Sequence, residues 1–322
     1  MDSKRSDLIR FDSFMHQALH DPQRGYYARK IKSVGTEGDF STTATLSNLL
    51  GKAVASSFLN WQQKSNSPLN FIEVGGGDGS FAASLLKALP FFKRWKTRYH
   101  LVDSSSPLSR VQKKKLKRSV TYHDDINSAL QSCAGVAFIF SNELVDAFPV
   151  RIFQRSDTGW DELFLKGAEE VFIEASEFPQ SSSFDLPKTN PNERVEIHES
   201  YHEWLQQWTP QWKSGQMLTI DYGDIFPDVY YRMPKGTLRA YYRHQHITGN
   251  AVYLNPGHQD ITADVNFTDL IQWGEKLSIK TQQCINQSEY LTDYASQTSV
   301  DQYLIDPFGP GSAFKVLLQQ KS

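Results

Sequence analysis

Three glycines at alternating positions, Gly75, Gly77 and Gly79 in EVGGGDGS (residues 73–80), follow an apolar run that reads as a buried strand. Main chain without a Cβ can approach a ligand that any side chain would exclude. The spacing G-x-G-x-G departs from the dinucleotide fingerprint G-x-G-x-x-G, because Ser80 stands where the last glycine belongs. Glu73, two positions before the first glycine, adds a carboxylate. That charge suits a ligand with an ammonium and a sulfonium, such as S-adenosyl-L-methionine, better than a pyrophosphate. Glycine clusters also form plain tight turns, so the loop needs context.

Acids farther along supply it. Asp103 ends the run YHLVD, where a carboxylate can accept both hydroxyls of a ribose. His123-Asp124-Asp125 ends the next run, where Asp125 or its neighbour could accept from an adenine amino group. Either position could instead cap the helix that follows. The ligand role is favoured for Asp103; for Asp124 and Asp125 both roles fit. SNELVDAFPV (residues 141–150) then places Asn142, Glu143 and Asp146 where a transferred group would lie. A capped turn ended by Pro149 would explain Asn142 or Asp146 but leaves Glu143 without a reason. A pair of carboxylates can hold a planar guanidinium through bidentate, charge-assisted bonds. A guanidinium stays protonated at neutral pH, so a carboxylate must orient it and receive its proton as a methyl group arrives.

The elements that must position these residues follow from periodicity. A strand at 71–74, a helix from Phe81 to Leu89, a strand at 99–103, a helix from Pro107 to Lys117, and strands at 120–123 and 136–141 predict a parallel, doubly wound sheet. Ligands of such sheets sit at the strand C-termini. Before it, a short helix over 11–20 and an apolar helix from Leu46 to Trp61 form an N-terminal helical cap of residues 1–66, with the sheet domain over 67–322. After Pro149 the pattern changes to an antiparallel hairpin (150–155 and 160–167), and a helix is expected from Arg194 to Trp212, giving an insertion over about 150–213. A strand at 216–222, a lid-like insertion over about 223–262, a helix and two strands complete the chain.

Composition excludes several classes. Lys+Arg 34 against Asp+Glu 36 gives a formal charge of −2, so no overall positive field gathers nucleic acid. The basic run KKKLKR (residues 113–118) reads as the solvent side of a helix. Cys133 and Cys284 are too far apart in sequence to suggest a disulfide framework or zinc site, and His244 and His246 have no evident third ligand, so no metal is expected. The charged start MDSKRSDLIRF and the shortness of the most apolar run, GVAFIF, argue against export and membrane insertion and make the cytoplasm the expected compartment.

The blocks ALHDPQRGYY (18–27), GDFSTT (38–43), EVGGGDGS, NELVDAFPV (142–150), IDYG (220–223), KGTLRAYYRH (235–244) and GHQDITADVNF (257–267), in this order, resemble the MidA-like S-adenosyl-L-methionine-dependent methyltransferases. The mitochondrial branch of that family includes an arginine methyltransferase needed for assembly of respiratory complex I. The resemblance implies a class I methyltransferase core with Gly75, Gly77 and Gly79 at the methionine portion, Asp103 at the ribose, and Gly38, Asp39 and Phe40 closing over the cofactor. It implies that NELVDAFPV faces the acceptor and that 221–223 and 260–262 frame the cleft, although Asx-type turns would explain the latter segments equally well. It also implies a protein arginine acceptor, with a respiratory NADH dehydrogenase subunit as one candidate. One departure is Asp264, which stands where many members carry histidine. A nicotinamide oxidoreductase and a non-catalytic assembly chaperone retaining the fold are the rival readings; the former needs a second βαβ half that the pattern lacks.

Overall fold

The computed structural model describes residues 7–29, 47–187, 192–231, 233–242 and 245–322. The chain divides into two compact units, one of Ile31–Leu144, Leu205–Tyr222 and Ile271–Ser322, the other of Met1–Lys30, Val145–Trp204 and Gly223–Leu270.

The first unit is built on a sheet of β1 (Asn70–Val74), β2 (Arg98–Val102), β3 (Thr121–His123), β4 (Phe138–Asn142), β5 (Gly215–Asp224), β6 (Lys280–Asn286) and β7 (Phe314–Lys321), in the order β3-β2-β1-β4-β5-β7-β6. The first five run parallel, while β7 is antiparallel to both β5 and β6. The doubly wound arrangement expected from periodicity is therefore present, closed by an antiparallel pair. Every residue of β1 is buried, as a strand covered on both faces requires, and this is why it reads as an unbroken apolar run.

The helices of this unit include α1 (Leu49–Ser65), α2 (Ser80–Ala88), α3 (Phe91–Lys96), α4 (Ser106–Leu116) and α5 (Ile126–Ser132). The partition drawn at residue 66 does not coincide with the division of the structure, because α1 belongs to the sheet unit. Leu50, Val54, Phe58 and Trp61 line one side of α1 and join the core. Phe71 of β1 is the hub, with the rings of Phe58 at 5.3 Å, Tyr99 at 5.0 Å, Phe138 at 5.5 Å and Phe140 at 6.2 Å. Phe71→Leu removes these ring contacts while keeping an apolar side chain. It is expected to lower stability by roughly 1–3 kcal/mol, read from the urea midpoint.

The second unit carries an antiparallel sheet in the order Ile9–Arg10, Trp160–Lys166, Arg151–Arg155, Arg194–Ile197, with Glu169–Glu174 also paired to Trp160–Lys166. The hairpin is as expected; the helix predicted from Arg194 is not. Residues 194–197 form a strand whose Val195 and Ile197 are fully buried, and the helix spans only Glu199–Trp208. Arg194 joins the sheet's polar side by bonding Glu170 Oε1 and Oε2 (2.8 and 2.6 Å), and pairing with Arg151–Arg155 overrides local helical periodicity. The Glu169–Glu174 strand was not foreseen; it follows a turn at Gly167. Arg239–Tyr242 lies between Gln245–Ile247 and Asp260–Thr262 in a further antiparallel sheet.

Candidate active site

The C-terminal ends of β1, β2 and β4 lie level. Val74 pairs with Val102 on one side and Ser141 on the other, so Gly75, Asp103 and Asn142 each stand one step beyond the paired residues. Gly75, Gly77 and Gly79 all have positive φ (74°, 52° and 80°), the left-handed region that disfavours side chains. Packing adds a second reason that differs along the loop. A Cβ on Gly79 would meet Leu116 at 3.0 Å, one on Gly76 would meet Leu101 at 2.9 Å, and one on Gly75, although that glycine is exposed, would meet Leu144 at 2.9 Å.

The loop is tied to α4. Gln112, fully buried, donates through Nε2 to the carbonyl of Gly77 (2.8 Å) and to Asp103 Oδ2 (2.7 Å). Lys115 bonds Asp78 Oδ2 at 2.5 Å, and Asp78 Oδ1 accepts from the Ser80 amide that opens α2 (2.9 Å). Asp103 Oδ1 accepts the amide of Ser105 (2.8 Å), and burial raises the Asp103 carboxyl while the Ser105 and Gln112 bonds oppose it. Each Asp103 oxygen thus makes a bond that orients it and keeps a second lone pair.

Glu73 is placed differently from the expectation of an anion facing a cation. It is buried at 3% exposure and accepts a 2.6 Å bond from the Tyr99 hydroxyl. Burial pushes its carboxyl up to about 8, against the lowering effect of the Tyr99 bond, so it is largely neutral at pH 7. A carboxyl raised on folding adds stability that is complete below its unfolded value of 4.5 and is lost as pH rises through about 8. Glu73→Gln, neutral at every pH, should therefore flatten the fall in stability between pH 5 and pH 9. Parallel urea curves for the two proteins across that range would rule this out.

Asp125 caps α5, its Oδ1 accepting from the Ser128 amide at 2.9 Å. Gly38, Asp39 and Phe40 lie outside the described residues.

After β4 the chain makes an unusual turn. Glu143 adopts φ 51°, a conformation normally left to glycine or asparagine. It is held there by three bonds: its amide donates to the Ile220 carbonyl (2.9 Å), the Leu144 amide to Asp221 Oδ2 (3.0 Å), and Asn142 Nδ2 to Glu143 Oε1 (2.9 Å). Asp221, with no exposed surface, also accepts from the amide of Tyr222, the next residue (2.9 Å), so its carboxylate fixes backbone on β5 and in the turn that presents Glu143 and does not close an Asx-type turn. Asn142 and Glu143 are thus brought together beside the glycine loop. Asp146 belongs to the other unit, where it is buried near Arg239 and Asp264; burial raises its carboxyl, and the Arg239 guanidinium opposes that rise. Arg239 Nη1 bonds Asp264 Oδ1 at 2.5 Å. Asp264 thereby balances a buried cation.

The donor and acceptor chemistry fits S-adenosyl-L-methionine. Gln112 Oε1 and Asn142 Oδ1 are buried acceptors with no hydrogen-bond partner among the described residues, and both sit with the loop and Asp103. Such acceptors match the ammonium, ribose hydroxyl and amino donors of that cofactor. Among the described residues no group of three His, Cys, Asp or Glu could hold a metal ion, and no helix is long and apolar enough to cross a membrane. Gln112, Tyr99 and Arg239 were not singled out from sequence.

Strand order, the antiparallel closing pair and the glycine loop after β1 define the class I methyltransferase fold. The same fold occurs in a methyl transferase candidate from Burkholderia thailandensis whose crystal structure holds S-adenosyl-homocysteine, with TM-score 0.85, 23% identity, and 98% and 88% of the two chains covered. Residues 49–285 match the model of a family described as "Putative S-adenosyl-L-methionine-dependent methyltransferase", and the chain belongs to that family. S-adenosyl-L-methionine is accordingly its cofactor class. The chain is 27% identical over 288 residues to "Protein arginine methyltransferase NDUFAF7 homolog, mitochondrial" of Drosophila melanogaster, covering 79% of this chain and 64% of that protein. It is 25% identical over 303 residues to "Protein arginine methyltransferase NDUFAF7, mitochondrial" of Mus musculus, covering 83% and 66%. The matched region thus spans just under two thirds of these relatives.

Proposed function

We propose that the protein transfers a methyl group from S-adenosyl-L-methionine to the side chain of an arginine in a protein substrate. The observation that carries this reading is Glu143, fixed in a strained conformation one strand away from the glycine loop. Strain held by three bonds at a strand C-terminus is the kind of feature that function, rather than folding, selects. Gly75, Gly77 and Asp103 hold the cofactor, with Gln112 orienting Asp103 and Glu73 supporting the strand end from beneath. The cofactor supplies a methyl group on an electrophilic sulfonium. Glu143, oriented by Asn142, holds the guanidinium and accepts the proton that leaves nitrogen as the N–C bond forms and the S–C bond breaks. The names of the Drosophila and mouse relatives support arginine as the acceptor, and by the MidA-like resemblance a respiratory NADH dehydrogenase subunit is the first protein to try.

The test is calorimetry with S-adenosyl-homocysteine and, separately, NADH, followed by radiolabelled methyl transfer to arginine-containing proteins and acid hydrolysis to identify the methylated residue. Uptake of the sulfur nucleoside with label recovered in methylarginine supports the proposal. Label in another residue refutes the acceptor alone. Uptake without transfer to any protein points to the non-catalytic assembly role, and failure to bind the sulfur nucleoside refutes the whole.

A further inference from the structure

The sheet unit carries a second chemical feature, on the edge opposite the cofactor loop. From Gly79 to His123 the sequence holds eleven lysines and arginines and a single acid, Asp103, in a chain whose formal charge is −2. Lys115 of this stretch bonds Asp78 in the cofactor loop, whereas Arg94, Lys96, Arg98, Lys117 and Arg118 belong to the segments that lead into β2 and β3. Helix α3 lies in this stretch, just before β2, with Phe91 68%, Phe92 75% and Trp95 80% exposed. Single exposed apolar residues are ordinary, but three large aromatics within five residues are not.

Arg94, Lys96 and Arg98 are exposed beside them, and so are Lys117 and Arg118 in the turn before β3. Arg98 opens β2 and Thr121 opens β3, and the two strands pair in parallel, so both segments meet the edge where these strands begin. Asp103 and Gly75 lie at the other end of the same sheet. Lys93, by contrast, is turned inward to bond Gln62 Oε1 at 2.7 Å, which fixes α3 to α1. The aromatic trio is thus presented by an anchored helix.

We propose that this aromatic and basic face docks the protein onto an anionic lipid surface. Phe91, Phe92 and Trp95 enter the headgroup region, while Arg94, Lys96 and the turn at Lys117 and Arg118 meet lipid phosphates. Aromatic rings at the interface combined with cations at the surface are the chemistry that anionic membranes recognise. A single-stranded nucleic acid needs ring faces on which successive bases stack within a basic groove. Here Phe91 and Phe92 stand edge to face at 80°, and the rings project into solvent. The inference is independent of the acceptor proposed above and concerns where the enzyme works.

The test is co-sedimentation of the full chain with vesicles of phosphatidylcholine, alone or mixed with phosphatidylglycerol. The protein is expected to sediment with the mixed vesicles only, less so at high salt. Phe91→Ser combined with Trp95→Ser, and separately Arg94→Glu combined with Lys96→Glu, should each weaken partitioning by about tenfold or more. All four positions are exposed, so the thermal midpoint should be kept, and the charge pair gives a readout that does not depend on the aromatic one. Binding of S-adenosyl-homocysteine should be unchanged in both variants, because the cofactor lies at the other sheet edge. The proposal is overturned if anionic and neutral vesicles sediment the protein equally, if neither variant weakens sedimentation, or if single-stranded RNA competes the vesicles off and is itself lost in these variants.

Discussion

Glu143→Gln is expected to lower the rate of methyl transfer by about 10²–10⁴-fold, the usual contribution of a positioned proton acceptor, while affinity for S-adenosyl-homocysteine stays within about twofold. The amide keeps the shape of the side chain and can still accept the 2.9 Å bond from Asn142. The backbone bonds to Ile220 and Asp221 do not involve the side chain, so the turn at φ 51° persists. What is lost is the negative charge that, on the proposed function, holds a guanidinium and takes its proton. The loss should therefore appear in kcat more than in the cofactor Kd. Equal losses in cofactor binding and turnover would mean that Glu143 serves the cofactor, and unchanged turnover would remove it from the chemistry. Asp221→Asn tests the support: it alters one of the two acceptors that fix residues 144 and 222, and should reduce kcat by a smaller factor through misplacement of an intact Glu143.

The parts of this site that were legible in sequence are those whose conformation demands a residue type. Three glycines after an apolar strand announced a left-handed loop, and Asp103 at the end of the next strand announced an acceptor level with it. Gln112 was hidden because its helix reads as a basic, solvated face in KKKLKR, and periodicity alone does not reveal that the side chain one position earlier is fully buried beneath the loop. The strain at Glu143 was also hidden. Residue type normally signals a positive φ, and here bonds from a strand over seventy residues away impose it on a glutamate. Glu73 shows a third limit: a carboxylate beside a predicted cation site suggests attraction, but burial decides its protonation, and burial is a property of the packed strand. The strand over Arg194–Ile197 was masked by its length, since four alternating residues running into a helix are indistinguishable from its first turn until Arg151–Arg155 pairs with them. The aromatic helix at 91–96 is the reverse case, because its apolar residues suggest a core that the structure withholds.

Asp103→Asn is the second large effect expected, on affinity rather than rate. The native carboxylate spends one lone pair on the Ser105 amide and one on Gln112 Nε2, and on the proposed function its remaining lone pairs accept from the cofactor's ribose hydroxyls. Asparagine has only one oxygen, so it can face Ser105 or Gln112 but not both, and its amino group opposes a donor on the other side. Hydrogen bonds to a charged acceptor contribute about 1.5–3 kcal/mol each, so the loss corresponds to an affinity for S-adenosyl-homocysteine lower by about 10–100-fold. A purely structural Asp103 would behave differently. Removing it would lower the melting temperature of the free protein, yet leave the ligand-induced rise in that temperature unchanged at matched saturation. Measuring the rise over a series of ligand concentrations separates the two, since a ligand contact shifts the whole series toward higher concentration. Gln112→Leu completes the argument: it removes the bonds to Gly77 and Asp103 together, leaves the carboxylate charged, and should cost less affinity than Asp103→Asn if orientation rather than charge is what Gln112 supplies.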